Sequence, residues 1–336
     1  MRDVAVVSFQ KRIGNADGLD EVELLAPTIA AALAGAGLAR RDVGFTVSGS
    51  CDYLGGRPFS FVTVLDAVGA WPPIRESHVE MDGAWALYEA WVALQHGDID
   101  VALVYAFGRP TQGDLNRVLG AQLDPYCVAP LGADALSLEA LQARAMIDAG
   151  RCTENDLAAA VGRARGEPME ALLAAPYVAS PLRAHDRGPI VDGAAAVVLV
   201  AGDRARACCA RPAWIRGIDH RIEAPALGAR DLTRSRSVER AAEGAGVRAG
   251  PVDVAEIDAP YSHQEILVRG ALGLGASTAL NPSGGALAAW PFMVSGLLRI
   301  GEAAKHIHAG GAGRAIAHAT SGACLQQNLV CVLEAE

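Results

Sequence analysis

The sequence predicts an α/β protein built from two similarly wound halves. Short apolar runs alternate with helix-spaced segments from Val4 to Phe107, and the same alternation restarts near Pro212. A helix end, a glycine stop and a strand also recur at matching places. They read Leu94-Gln-His-Gly-Asp-Ile-Asp-Val-Ala-Leu-Val in the first half and Ile307-His-Ala-Gly-Gly-Ala-Gly-Arg-Ala-Ile-Ala in the second. One such junction is commonplace; two in equivalent places point to duplication.

The elements follow in order. Val4–Phe9 is a strand, and Glu21–Ala36 is a helix with Leu24, Leu25, Ile29 and Leu33 on one face. Gly35 and Gly37 stop it. Short strands are expected at Gly44–Ser48 and Ser77–Met81, a helix at Ala84–Gln95, and a buried strand at Asp100–Phe107. This order implies parallel strands joined by crossover helices. Residues 108–190 break the rhythm, with helices at Ser137–Ala149 and Thr153–Arg165 among polar and proline-containing loops. An insertion of that size reads as a cap or binding loop. Ala194–Ala201 returns to the core. The second half carries strands at Ala213–Ile218, Val254–Ala259, Arg314–Ala319 and Asn328–Glu334, with helices at Arg234–Ala245, 263–273 and Pro291–Ile307. The expected division is 1–210 and 211–336, with the insertion inside the first part.

Composition narrows the function classes. A net charge of −9 argues against nucleic-acid binding through a broad basic surface. The arginine-rich stretch Arg230–Arg240 also holds Asp231 and Glu239, as a solvated helix start does. No run of about 18 apolar residues occurs and the N-terminus enters an ordinary strand, so neither a membrane span nor a signal peptide is expected. The seven cysteines are odd in number and form no CxxC pair, and Cys208 and Cys209 are adjacent. A reducing cytoplasm therefore fits better than disulfides or a zinc site. No dinucleotide fingerprint, P-loop or zinc spacing is present, and no intrinsic cofactor or metal is expected.

Four segments in register carry a resemblance to a known family. They are Val4–Phe9 with the helix ending Gly-Ala-Gly-Leu-Ala at 35–39; Pro189-Ile-Val-Asp-Gly-Ala-Ala-Ala-Val-Val-Leu199; Asn281-Pro-Ser-Gly-Gly-Ala-Leu287; and Gly322-Ala-Cys-Leu-Gln-Gln-Asn328. Singly, each reads as a turn entering a packed element. Together they resemble the thiolase superfamily, specifically its sterol-carrier-protein-x branch of lipid-transfer proteins. The resemblance implies duplicated βαβαβαββ halves forming a five-layered α-β-α-β-α core, a homodimer, and a CoA thioester as substrate.

The family's catalytic pattern is broken at every element. Its nucleophilic cysteine opens the helix after the third strand, where the helix dipole favours a thiolate. Matching Val79-Glu-Met-Asp-Gly-Ala84 to that entry places Gly83 there, or Asp82 after a one-residue shift. Neither can form an acyl-enzyme through sulfur. The Asn-Glu-Ala-Phe element is matched by Asp258-Ala-Pro-Tyr-Ser-His-Gln264. Ala289-Trp290-Pro291 replaces Gly-His-Pro, and His318-Ala-Thr-Ser-Gly322 replaces Cys-x-Gly. Cys324 falls several residues later and is expected to pack beneath the loop.

The groups left can move protons. Tyr261 is the candidate to take a β-hydroxyl proton or donate to an alkoxide, with His263 or His318 as tuning or base groups. Asp82, with Glu80 nearby, is read as a helix cap or a catalytic carboxylate. Backbone amides near Gly83 and Gly322 are the expected oxyanion donors, and Trp290 the expected substrate contact. The pattern of losses resembles thiolase-like steroid side-chain aldolases, which cleave a β-hydroxyacyl-CoA and pair with a small OB-fold/zinc-ribbon protein. The alternatives are a non-catalytic acyl-CoA or lipid binder, with a tunnel lined by Trp85, Trp91, Trp290 and Phe292, and a scaffold subunit of an acyltransferase complex. Arg109, Arg117, Arg144, Arg163 and Arg187 are available for CoA phosphates. Ser48–Ser60, with Cys51, Tyr53 and Phe59, is expected at the dimer interface or the tunnel mouth.

Overall fold

In the computed structural model, residues 1–336 are described except 17, 57, 70 and 72. The first half runs β1 (Val4–Gly14), α1 (Glu21–Gly35), β2 (Phe45–Gly49), two single-turn helices α2 (Asp52–Gly55) and α3 (Leu65–Val68), β3 (Arg75–Val79), α4 (Gly83–His96) and β4 (Val101–Gly108). The insertion holds α5 (Leu115–Ala121), α6 (Ala135–Asp148), α7 (Glu154–Arg165), α8 (Met169–Ala174) and a hairpin of β5 (Tyr177–Ala179) and β6 (Leu182–Arg183). β7 (Asp192–Ala201) and α9 (Arg204–Cys208) close that half. The second half runs β8 (Ala213–Ile222), α10 (Arg236–Gly244), β9 (Val254–Ile257), α11 (Ser262–Leu272), β10 (Ala279–Leu280), α12 (Gly285–Ala288), α13 (Ser295–His308), β11 (Arg314–Ser321) and β12 (Gln327–Glu334).

The strand order is β10-β9-β11-β12-β8-β1-β7-β4-β2-β3. Counting main strands within each half, both halves have the order 3-2-4-5-1, which is the duplication the sequence hinted at. The half-sheets are paired through Ala5↔Trp214 and Val6↔Ala213. The four first-half strands expected to run parallel, β1, β2, β3 and β4, share one direction, since β7 runs antiparallel to both β1 and β4. β2, β3 and β4 are parallel, as are β9, β10 and β11, but β7 runs antiparallel to β1 and β4, and β12 to β8 and β11. β11 and β12 are joined by a short loop, and so short a connection can only make a hairpin.

Burial alternates along the strands. In β4, Ala102, Val104 and Ala106 face one cluster while Leu103 and Tyr105 face another. The first cluster contains Leu87, Ala90 and Leu94 of α4 with Leu297, Ile300 and Ala304 of α13, wedged between Val197 of one half-sheet and Ala317 and Leu329 of the other. α1 covers the outer face of the first half-sheet through Leu25 and Ile29. α10 and α11 cover that of the second through Val238, Ala241 and Val268. Five layers result, α-β-α-β-α.

The small residues make the middle layer close. A Cβ at Gly83 would lie 2.5 Å from Ala106 Cβ and 3.0 Å from Leu297 Cβ, and one at Gly296 would lie 2.4 Å from Ala319 Cβ. Some expected boundaries shift. β3 ends at Val79, so Glu80 and Met81 lie beyond the strand. The helix expected from Pro291 starts at Ser295, because residues 289–294 form a bend with Met293 at φ 72°. Among the described residues no helix is long and apolar enough to cross a membrane.

Candidate active site

The two middle helices, α4 and α13, begin side by side, and the cleft opens at their heads. It measures about 670 Å³ with its mouth. Asp82 and Ser295 form the floor, with Asp258 at the end of β9 and Thr320 to Ala323 at the end of β11. Tyr261 and Gln264 of α11 form one wall and Trp290 to Met293 another. Leu119, Gln122, Leu123, Ala135 and Glu139 of the insertion form the roof.

The specific sequence motifs turn out to build these walls. Residues 187–191, just before the Asp-Gly-Ala run, lace two walls together. Arg187 pairs with Tyr261 and Ile190 with Trp290 as isolated β-bridges, and Gly188 N donates to Pro260 O at 2.8 Å. Any Cβ at Gly188 would sit 2.1 Å from Ala286 O. Asp192 accepts from Thr111 N and Oγ1 and from Ala16 N, pinning the start of the insertion to β7. In the Asn-Pro-Ser-Gly-Gly turn, Asn281 bonds Ile257 N and Glu265, and Ser283 bonds Glu256, itself paired with buried Arg299 at 3.1 Å. That network holds the bend carrying Trp290.

Three carboxylates line the cleft. Asp82 is the N-cap of α4, accepting from Ala84 N at 2.8 Å, and it also accepts from Gly296 N at 2.9 Å and Leu297 N at 3.0 Å. One side chain thus caps both middle helices. Burial, then the neighbouring Asp258 charge, pushes its carboxyl up to about 7. Asp258 accepts from Ser295 Oγ at 2.7 Å, and burial pushes it up to about 6. Glu139 accepts from Gln264 Nε2 at 2.7 Å and Cys324 N at 2.8 Å.

Of the residues singled out in the sequence, Tyr261, Asp82, Trp290 and Gly322 line the cleft; His263, His318 and Gly83 do not. Both histidines are fully buried behind its wall. His318 Nε2 donates to Asn328 Oδ1 at 3.0 Å, since the Asn328 amide nitrogen is spent on Ser237 and Leu325. Burial lowers its pKa to about 4, so it stays neutral. His263 Nε2 faces Gln142 Oε1 at 3.2 Å and Glu139 at 3.3 Å. Substrate-base roles for these two are withdrawn because their ring nitrogens point into packed protein.

Gly83 is corrected as well. Its amide donates to Met293 O at 3.0 Å, leaving no proton for an oxyanion, and its Cα has no room for any side chain. Gly322 keeps a place on the cleft wall at φ 76°. The base role for Tyr261 meets an electrostatic obstacle. Burial and then the Glu139 charge push its phenol well above the ordinary value, against a smaller opposing effect of Arg187. A phenol held protonated is a donor. Its hydroxyl is buried without a hydrogen-bond partner.

The aromatic tunnel is only half present. Trp290 and Phe292 stack edge-on at 5.8 Å in the cleft, whereas Trp85 and Trp91 pack in and against the middle helical layer. Cys324 lies under the loop with Sγ toward Leu138 O, and burial raises its thiol pKa. Among the described residues no cysteine lines the cleft. Arg109, Arg144 and Arg163 are engaged with Glu21, Asp148 and Glu265. Arg187 stands beside Tyr261, and Arg117 faces a surface groove next to Tyr53. In the Ser48–Ser60 stretch, Tyr53 and Phe59 are exposed and Cys51 packs in the cluster containing Trp290; Arg57 lies outside the described residues. Asp52, His78 and Glu80 bring ligand atoms within 4.8 Å of one another, but Asp52 accepts the Phe59 and Ser60 amides and Glu80 the Asp52 amide, closing a turn away from the cleft.

Asp258, Ser295, Thr320 and Glu139 were not singled out from the sequence. The one readable signal was Asp258 itself, a carboxylate ending an apolar strand inside a quoted motif.

No family model and no curated protein matches the chain in sequence. Solved structures do match in fold. The "Ltp2-ChsH2(DUF35) aldolase" superposes with a TM-score of 0.83 at 18% identity, covering 99% of this chain and 98% of that one. Human mitochondrial 3-ketoacyl-CoA thiolase superposes with a TM-score of 0.81 at 14% identity, covering 99% of both chains. At these identities the likeness is one of fold alone: the chain folds as these two structures do.

Proposed function

We propose that this chain is a thiolase-like acyl-CoA enzyme that works without a nucleophilic sulfur. In this reading it is a carbon–carbon lyase that splits a β-hydroxyacyl-CoA by a retro-aldol step. The observation that carries it is the composition of the cleft: carboxylates, a protonated phenol and hydroxyls meet at the heads of the middle helices, with no cysteine among the described lining residues. Those groups can accept and deliver protons but cannot hold an acyl group as a thioester. A retro-aldol step requires only proton transfer and a stabilised enolate. Tyr261 supplies a proton to the enolate, and the Gly322 turn takes the thioester oxygen. Trp290 and Phe292 bound the acyl chain.

The aldolase sharing this fold is named together with ChsH2(DUF35). That supports an OB-fold/zinc-ribbon partner completing the site here, and the family resemblance supports a homodimer and a bulky, steroid-like acyl group. The test is incubation with a steroidal 17-hydroxy acyl-CoA, with and without such a partner. Release of a ketone and propionyl-CoA is expected, and Tyr261→Phe should abolish it while leaving binding intact. Tight binding without turnover would make the chain a carrier, and neither binding nor turnover would leave a scaffold role. Turnover surviving in the Tyr261→Phe variant would remove Tyr261 from the mechanism.

A further inference from the structure

We infer that Asp258 is the group that takes the hydroxyl proton from the substrate, an inference that rests on the lyase reading above. Three carboxylates line the cleft, and their hydrogen bonds separate them. Asp82 spends both oxygens on three backbone amides, all within 3.0 Å. Glu139 spends its own on Gln264 and the Cys324 amide, beside His263. Asp258 has one firm partner, Ser295 Oγ, on Oδ1. The donor toward Oδ2 is the Thr320 amide at 3.5 Å, the outer limit of a hydrogen bond. One oxygen of a buried carboxylate that lines the cleft is therefore left under-satisfied, the condition in which a carboxylate gains most from a new O–H donor.

The surroundings keep it a base rather than an ion-pair member. The charged and titratable groups around it are Asp82 at the head of α4, Arg299 on α13, His318 on β11, Tyr261 at the start of α11 and Glu139 on α6. Arg299 is engaged with Glu256, and His318 is neutral. Arg299, though paired with Glu256, still favours the ionised Asp258 by its charge, and burial outweighs it. Burial raises its affinity for a proton into the range where a base is both ionised near neutrality and strong enough to act.

The step balances within the site. The hydroxyl proton passes to Asp258 Oδ2 and the C–O bond becomes a carbonyl as the Cα–Cβ bond breaks. Its electron pair moves into the enolate of the departing thioester. The Tyr261 hydroxyl delivers a proton to the enolate α-carbon. Asp258 then releases one proton to solvent and the phenolate recovers one, so no oxidant, reductant or co-reactant is needed.

The test compares wild type with Asp258→Asn, using the β-hydroxyacyl-CoA above. The isosteric variant should keep acyl-CoA affinity within about threefold yet lose at least about 100-fold in kcat, the scale of a missing general base. Wild-type kcat/KM should rise with pH through a limb near pH 6, and that limb should vanish from the residual activity of the variant. A variant retaining kcat within threefold and the same limb overturns the inference. If the variant does not fold, the wild-type profile decides: a flat kcat/KM from pH 5 to 8 overturns it equally. Wild type that releases no ketone defeats the lyase reading itself, and the part assigned to Asp258 falls with it.

Discussion

The heads of the two middle helices occupy equivalent places in the two halves, yet they are finished differently. Each carries a glycine pressed onto an alanine of the next strand and onto the other helix: Gly83 on Ala106 and Leu297, Gly296 on Ala319 and Ala84. At α4 the preceding residue, Asp82, caps its own helix. At α13 Val294 stands in the cap position with no side-chain cap, and Asp82 reaches across to serve it. A single carboxylate therefore closes both heads. The second buried carboxylate, Asp258, holds the Ser295 hydroxyl of α13 and, at 3.5 Å, the Thr320 amide. The halves also differ between their last two strands, where the first carries residues 109–191 and the second a five-residue hairpin loop, 322–326. The insertion of the first half roofs the cleft that the two halves share. Duplication supplied a symmetric frame, and its two asymmetric departures together make the site.

Five substitutions can break or sharpen that comparison. The largest effect should come from the shared glycines. Gly83→Cys, which restores a thiol at the position matched to the family's nucleophile, should lose about 3 kcal/mol or more by overpacking rather than gain thiolase activity. Gly296→Ala should lose a similar amount, and chemical denaturation measures both. If Gly83→Cys folded normally and formed an acyl-enzyme, the close packing of the heads would be misjudged.

Asp82→Ala should follow, at roughly 2–4 kcal/mol, because three buried amides lose their acceptor at once. Changing the cap of a single helix costs only about 1 kcal/mol. A loss no larger than that would mean Asp82 serves α4 alone, and thermal unfolding can tell the two apart.

A pH-dependent effect of about 1–3 kcal/mol is expected from Asp258→Asn. The folded pKa, about 6, lies above the unfolded value of 3.8, so the protonated form is favoured in the folded state. That contribution is complete below pH 3.8 and disappears as pH rises through 6. Asparagine cannot ionise, so the variant should gain stability relative to wild type as pH rises from about 4 to 6, a gain that then levels off. Parallel melting curves across that range check the sign; His318, shifted the opposite way, is common to both proteins and cancels.

The smallest effect belongs to Tyr261→Phe, within about 1 kcal/mol of wild type, since the hydroxyl it removes has no partner to orphan. A drop in melting temperature of many degrees would show that the phenol holds the wall together instead of facing substrate.

Much of the frame was legible because it rests on periodicity. Alternation in β4, the helical spacing of Leu24, Leu25 and Ile29, and the paired helix–glycine–strand junctions all express local geometry that a residue imposes on its neighbours. The cleft was legible only in part. Tyr261, Asp82, Trp290 and Gly322 sit in short motifs at element ends, where sequence marks a turn. His263 and His318 sit in the same motifs and looked equivalent, but one lies one residue inside a helix and the other on a strand facing Asn328, so both turn inward. Trp85 and Trp91 misled for a related reason: an aromatic side chain on an amphipathic helix gives no sign of whether a second helix will cover it.

By itself the sequence determined the α/β class, the doubled order of elements, and the absence of sulfur from the segment that leads into α4. These depend on residue identity and spacing along the chain. Only the tertiary structure decided that Asp82 caps two helices, that Gly83 admits no side chain, and that Asp258 lines the cleft with one oxygen weakly bonded. Each of these depends on groups far apart in sequence, such as Asp82 with Gly296 and Asp258 with Ser295. Hydrogen-bond satisfaction and steric fit are properties of what surrounds a residue once the layers have closed.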